Sequence, residues 1–273
     1  MDNRPVGIFD SGLGGLNSLK ALRALMPNEN IIYFGDTGRN PYGVRPAEEL
    51  RIMARQDMEL MAKLGAKAVI AACGTVSSTA GDILAGFRLP VINVIDASVQ
   101  RLAQTASDAP LGIIATSASI KNGAFKRRLA ALCPGREIID IACQDFVQLI
   151  ESGHTDKDDE MLAEAVARYL APMREAHVGA LLLGCTHFDF AADAIRAYLG
   201  RDTALISAAG CAAENMRDYL TAHALTGDSA EAATEYYTSG STSEFAAHAA
   251  RFLGGNTEPT VHAASAEETE GLR

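Results

Sequence analysis

Two thiols occupy matching places in the chain. Cys73 ends the apolar run AVIAAC at residues 68–73, with Gly74 and Thr75 behind it, and Cys185 ends ALLLGC at residues 180–185, with Thr186 and His187 behind it. A short apolar run that stops at a thiol and a hydroxyl reads as a buried strand presenting reactive groups at its carboxyl end. Each cysteine is also expected at a helix N-terminus, which lowers a thiol's pKa from its reference of about 8.5. Asp10, whose carboxylate raises a nearby thiol's pKa but can hold or relay a proton, is a candidate partner for Cys73, and His187 is one for Cys185. If the two strands belong to halves that face each other, the thiols meet across a cleft with a ligand between them. The residue types then allow a pair of acid–base thiols, or a metal site built from Cys73, Cys185, His187 and Asp10. The metal alternative leaves Thr75 and Thr186 without a role. Cys133, Cys143 and Cys211 read as small apolar fillers.

The elements that must position these groups alternate between β and α. Residues 6–9 form a strand that enters the glycine loop at 10–15 and an amphipathic helix to residue 25; a strand at 30–34 leads into a turn-rich loop at 35–43 and a helix at 46–64. After the Cys73 strand come a helix capped by Ser77 or Ser78, a strand at 90–94 and a helix at 97–106. The plan then repeats. A strand at 111–115 brings Thr116 and Ser119 to the loop position held earlier by Asp10 and Ser11, followed by a strand at 137–141, helices at 145–151 and 158–175, the Cys185 strand, a helix at 188–199 and a strand at 204–207. A helix at 209–222, a strand at 235–238 and a helix at 243–253 follow. Such alternation predicts parallel sheets covered by helices, and the repetition predicts two halves. Residues 254–273 are small, polar and acidic and are expected to be disordered.

At 273 residues and 48% hydrophobic content the chain can bury a large core, and a formal charge of −10 argues against nucleic acid or an anionic membrane as partner. No apolar run is long enough to span a bilayer, and residues 1–5 lack the features of a signal peptide, so a cytosolic protein with a small-molecule ligand is expected. Five cysteines without C-x-x-C spacing indicate neither a disulfide framework nor a structural zinc site. The loop GLGG at 12–15 invites a dinucleotide reading, but Asn17 stands where a third glycine is needed and Asp10 would face the pyrophosphate. A small carboxylate held by the same backbone N–H groups and the Ser11 hydroxyl fits that loop as well. None of the lysines ends a predicted strand beside a phosphate loop, so pyridoxal chemistry is not expected and no cofactor is needed.

Taken together, GIFDSGLGG at 7–15, YFGDT at 33–37, NPYG at 40–43, Cys73 with Thr75, LGCTHF at 183–188 and YTSG at 237–240 resemble the glutamate racemases of the cofactor-independent aspartate/glutamate racemase superfamily. The resemblance runs in order along the whole chain except the acidic tail. It implies an α/β fold of two pseudo-symmetric lobes, each a mostly parallel sheet flanked by helices, with the active site in the cleft between them. Residues 1–96 plus 208–253 would form one lobe and 97–207 the other. It further implies interconversion of L- and D-glutamate for peptidoglycan synthesis, a homodimer, and catalysis by Cys73 on the D-enantiomer and Cys185 on the L-enantiomer, assisted by Asp10 and His187. Ser11, Pro41, Tyr42, Gly43, Thr75, Thr116, Ser119 and Thr186 would line the substrate site. The family usually carries asparagine directly after the first cysteine, where this chain has Gly74. With the other motifs intact, an asparagine introduced there is expected to be accommodated. A racemase for another amino acid such as aspartate, or a two-lobed binding protein, are the alternative readings.

Overall fold

Short apolar runs between amphipathic helices give two parallel sheets in the computed structural model, which describes residues 1–105, 108–255 and 258–267. The strands are β1 (Val6–Asp10), β2 (Ile31–Gly35), β3 (Ala68–Ala71), β4 (Val91–Asn93), β5 (Leu111–Ala115), β6 (Ile138–Ala142), β7 (Ala180–Leu183), β8 (Ala204–Ser207), β9 (Thr234–Thr238) and β10 (Val261–Ala263). The helices are α1 (Leu16–Leu25), α2 (Ala47–Lys63), α3 (Gly74–Thr79), α4 (Gly81–Ala85), α5 (Val94–Ala103), α6 (Ser117–Asn122), α7 (Ala124–Leu132), α8 (Gln144–Glu151), α9 (Glu160–Glu175), α10 (Ala192–Leu199), α11 (Ala208–Ala222) and α12 (Thr242–Leu253). The first sheet runs β10-β9-β2-β1-β3-β4 and the second β6-β5-β7-β8. The order β2-β1-β3-β4 in one is therefore repeated as β6-β5-β7-β8 in the other, which puts β3 and β7, the strands of the two thiols, in equivalent places.

Alternation along the strands sends side chains to two faces. Val6 and Ile8 of β1 join a core that continues through α1, α5 and α11 into the second sheet, whereas Phe9 packs on the other face against Met53 and Met58 of α2. The chain leaves the first sheet after β4 and returns after β8, and α5 and α11, which carry it across, pack on each other.

Three expectations change. The tail 254–273 is not wholly disordered: within it β10 pairs in parallel with β9, Val261 opposite Tyr236, because an open sheet edge offers backbone partners even to a polar segment. Residues 256–257 and 268–273 of that tail, and Ala106 at the end of the predicted helix 97–106, lie outside the described residues. Cys73, not Ser77 or Ser78, is the N-cap of α3, and the Ser77 hydroxyl donates instead to the Ala71 carbonyl at 3.1 Å. Finally, the helix predicted from residue 188 begins as a 3-10 stretch, Thr186–Ala191, with Cys185 as its N-cap, before α10.

Candidate active site

Every group singled out in the sequence except Ser119 reaches one cavity, because each stands at or just past the carboxyl end of a parallel strand. Asp10 ends β1 and Ser11 follows it, Cys73, Gly74 and Thr75 follow β3, Thr116 follows β5, and Cys185, Thr186 and His187 follow β7; Pro41, Tyr42 and Gly43 come from the loop after β2. Both thiols are buried. Ser119 does not line this cavity: its hydroxyl accepts from Thr116 Oγ1 at 3.0 Å and so orients the threonine that does. Thr116 in turn lies 3.2 Å from Thr75 Oγ1, a hydroxyl pair that joins the two lobes.

The partners of the thiols differ. Cys73 Sγ is 3.6 Å from Ser11 Oγ, whereas Cys185 Sγ is 3.7 Å from His187 Nδ1, and His187 Nε2 is 3.0 Å from Glu151 Oε1. Asp10 Oδ1 accepts from the Gly12 N–H at 2.9 Å, and its Oδ2 accepts from Thr186 Oγ1 at 3.2 Å, so a carboxylate of the first lobe fixes a hydroxyl of the second. Asn17 does the same from α1, donating to the Thr186 carbonyl at 2.7 Å. A Cβ on Gly14 would come within 2.5 Å of the His187 ring, so only glycine lets the imidazole sit against the glycine loop.

Burial decides the charges. It raises the Asp10 carboxyl above its ordinary range, against the opposing pull of the His187 cation and the Gly12 N–H. Burial first, then the Asp10 charge, push the Cys73 thiol up to about 12; the N–H of Val76 in α3 pulls the other way and loses. The lowering expected from a helix N-terminus is thus outweighed, and Cys73 rests as a thiol. For His187, burial alone would lower the pKa, but the hydrogen bonds to Cys185 and Glu151 outweigh it and hold the imidazole well above its usual value. Glu151 is lowered in return: burial opposes, and the His187 hydrogen bond and charge prevail. Among the described residues no group of three or more His, Cys, Asp or Glu side chains is placed to hold a metal ion, so the alternative metal site gains no ligand cluster.

The family model for Asp/Glu/Hydantoin racemase matches residues 20–216. The chain belongs to the Asp/Glu/Hydantoin racemase family. A glutamate racemase of Desulforudis audaxviator is 33% identical over 264 residues, covering 94% of this chain and 96% of that one, and a glutamate racemase of Beutenbergia cavernae is 38% identical over 229 residues, covering 82% and 77%. The fold superposes with a TM-score of 0.89 on the crystal structure of Francisella tularensis glutamate racemase in complex with D-glutamate, at 31% identity over 98% of this chain and 100% of that one.

Set within this racemase family, the site holds residues the sequence reading missed. Glu151 ends α8, 36 positions before the histidine it meets, and nothing in local spacing announces that contact. Asn40, Gln144 and Val147 also line the cavity. Gln144 and Val147 could have been found from the repeat, since α8 starts at the carboxyl end of β6 as the loop after β2 starts at the end of its equivalent. Gly74 brings a correction. A Cβ there would lie 2.7 Å from the Gly184 carbonyl oxygen, so the backbones on either side of the cleft approach too closely for any side chain to be added without moving one of them. An asparagine would have to displace one of them, against the ready accommodation the sequence suggested.

Proposed function

We propose that the protein interconverts L- and D-glutamate, with Cys73 and Cys185 as the two acid–base groups and without a cofactor. What carries the reading is the placement of two buried thiols, at the ends of equivalent strands, in the walls of a single cavity. The names of the relatives supply the substrate. Inverting a stereocentre requires a proton to leave one face and another to arrive on the opposite face, which two opposed groups do and a single base does not. In the L to D direction the Cys185 thiolate takes the α-proton as the Cα–H bond breaks, and its electron pair passes to Cα and the adjoining carboxylate. The Cys73 thiol, held protonated by its surroundings, then gives its proton to the other face. The reverse direction exchanges the roles. His187 faces the Cys185 sulfur and Asp10 raises the proton affinity of Cys73, so each thiol has its own means of being reset. The hydroxyls of Ser11, Thr75, Thr116 and Thr186 and the backbone N–H groups beside them serve the carboxylates and the charge that develops on them.

In this reading residues 1–96 with 208–253, and residues 97–207, are the two bodies that open and close on the substrate. D-glutamate for peptidoglycan and a homodimer follow from the resemblance; a cytosolic location, expected from the sequence, belongs to the same proposal, and no helix of the described residues is long and apolar enough to cross a membrane. The test is loss of optical rotation from either glutamate enantiomer by purified protein dialysed against chelator, with aspartate in parallel. Racemisation of glutamate that Cys73→Ser and Cys185→Ser each abolish is the expected result. Turnover only on restoring a metal, faster turnover of aspartate, or a serine variant at the parental rate would overturn it.

A further inference from the structure

No lysine or arginine lines the cavity among the described residues, so a dicarboxylate must be held by hydroxyls, backbone N–H groups and side-chain amides. One amide stands out. Gln144 is the first residue of α8, and its Oε1 accepts from the Ser117 N–H at the start of α6 at 3.1 Å. That bond fixes which end of the amide is which, since the reverse orientation would set two donors against each other. Its Nε2 is left with no protein partner among the described residues. Across the mouth of the cleft lies Gly43, where a Cβ would sit 3.5 Å from Oε1 and 3.6 Å from Nε2, so the amide of the second lobe lies directly against the loop of the first. On the opposite wall the close approach of Gly184 keeps position 74 without a side chain, and the amide there is that of Asn40. Gln144 meets neither sulfur nor the groups that face the sulfurs, which directs its reach to the end of a ligand remote from the reacting carbon.

We propose that Gln144 is a specificity residue that reads the distal carboxylate of the substrate: Oε1 stays on the Ser117 N–H while an Nε2 hydrogen is donated to that carboxylate. The inference rests on the glutamate reading, and wild-type turnover measured alongside tests that reading by itself. A hydrogen bond to a charged group corresponds to about ten- to a hundredfold in affinity. Gln144→Ala is expected to raise the KM for glutamate by that factor with kcat little changed, the pattern of binding lost equally from ground and transition states. Gln144→Glu separates ligand reading from mere capping of α6. Its carboxylate still accepts from Ser117, so a capping role predicts a KM restored to the parental value, whereas a carboxylate reader predicts a KM at least as high as that of the alanine variant, through repulsion of like charges. Circular dichroism melts of both variants confirm that they are folded. A parental KM in either variant, with wild-type enzyme turning over glutamate, overturns the assignment of Gln144 alone; no turnover by the wild type overturns both readings.

Discussion

The His187 imidazole is held between a sulfur and a carboxylate, 3.7 Å from Cys185 and 3.0 Å from Glu151. Its proton is bound more tightly than in an exposed histidine, against the sense of its own burial. Because the folded-state pKa is raised, the contribution to stability is fully present below the unfolded value near 6.5 and is lost as pH rises through the folded value. Replacing Glu151 by Gln keeps a hydrogen-bond partner but removes the negative charge. The alkaline limb of the kcat/KM profile in the direction that uses protonated His187 should then move to lower pH, as a pH–rate series would read; an unmoved limb would mean that the carboxylate does not hold this proton. Gly74 acts by the space it leaves. Gly74→Asn must push back the Gly184 carbonyl, and the cost of overpacking, typically about 1 to 3 kcal/mol, should appear as a lowered Tm together with a glutamate KM raised about tenfold or more. A variant with parental Tm and KM would show that the two backbones part freely.

At the scale of elements, the loop between β2 and α2 is fastened by a buried polar cluster. Arg39 lies 2.6 Å from Asp36 and 2.8 Å from Asp57, and the Tyr42 hydroxyl donates to Asp36, so the tyrosine and the neighbouring Pro41 and Gly43 are fixed from beneath the site. Burial, then the charge of Asp36, hold Asp57 well above the usual carboxylate range, and Arg39 answers only part of that. Arg39→Ala leaves buried acid without its cation, which costs about 3 to 5 kcal/mol and should also raise the KM as the loop loosens. Denaturant melts and kinetics on the same sample test both; an unchanged KM would separate the cluster from substrate binding. Asp189, in the 3-10 stretch after Cys185, is a second buried acid. The residue keeps partial exposure, but its Oδ2 is enclosed with no hydrogen-bond partner among the described residues, and burial raises its pKa to about 7 against the opposing pull of the Ser207 hydroxyl. An acid raised in this way favours the fold fully below the unfolded value near 3.9, and that advantage is lost as pH rises through about 7. Asp189→Asn should therefore match the parent's Tm near pH 4, exceed it by a widening margin toward neutrality and hold that margin above, whereas a constant offset would mean the carboxyl titrates normally.

Much of this could be read from the sequence, and the limits have physical causes. Apolar runs ending in Cys73 and Cys185 are local, so the strands, their equivalence and the cleft follow from periodicity and repetition. The contacts of Glu151, Gln144 and Asp57 are made across loops or between helices, where no spacing rule applies. The balance at Cys73 stays open in the sequence, where a helix N-terminus and the Asp10 carboxylate pull the thiol in opposite directions and the depth of burial that decides between them is set by the tertiary fold. The pairing of β10 with β9 escaped for a related reason: a polar, acidic stretch has little drive to fold alone, and only the open edge of a completed sheet gives it partners.

The whole molecule is a contiguous sheet inserted into a discontinuous one. In the second sheet all four strands fall between Leu111 and Ser207, whereas in the first sheet Ile31 of β2 must find Thr234 of β9, and Thr238 of β9 then donates through its hydroxyl to the Gly35 carbonyl at a separation of 203 positions. Pairings that close long loops form late. A ribosome that has delivered the chain as far as Ser207 has released everything the inserted half needs, while its host still lacks β9, β10, α11 and α12. The walls of the cavity thus come under different clocks: the surroundings of Cys185 in the inserted half can be assembled during synthesis, whereas the loop after β2 stays without its neighbours Thr238 and Ser239 until β9 has emerged.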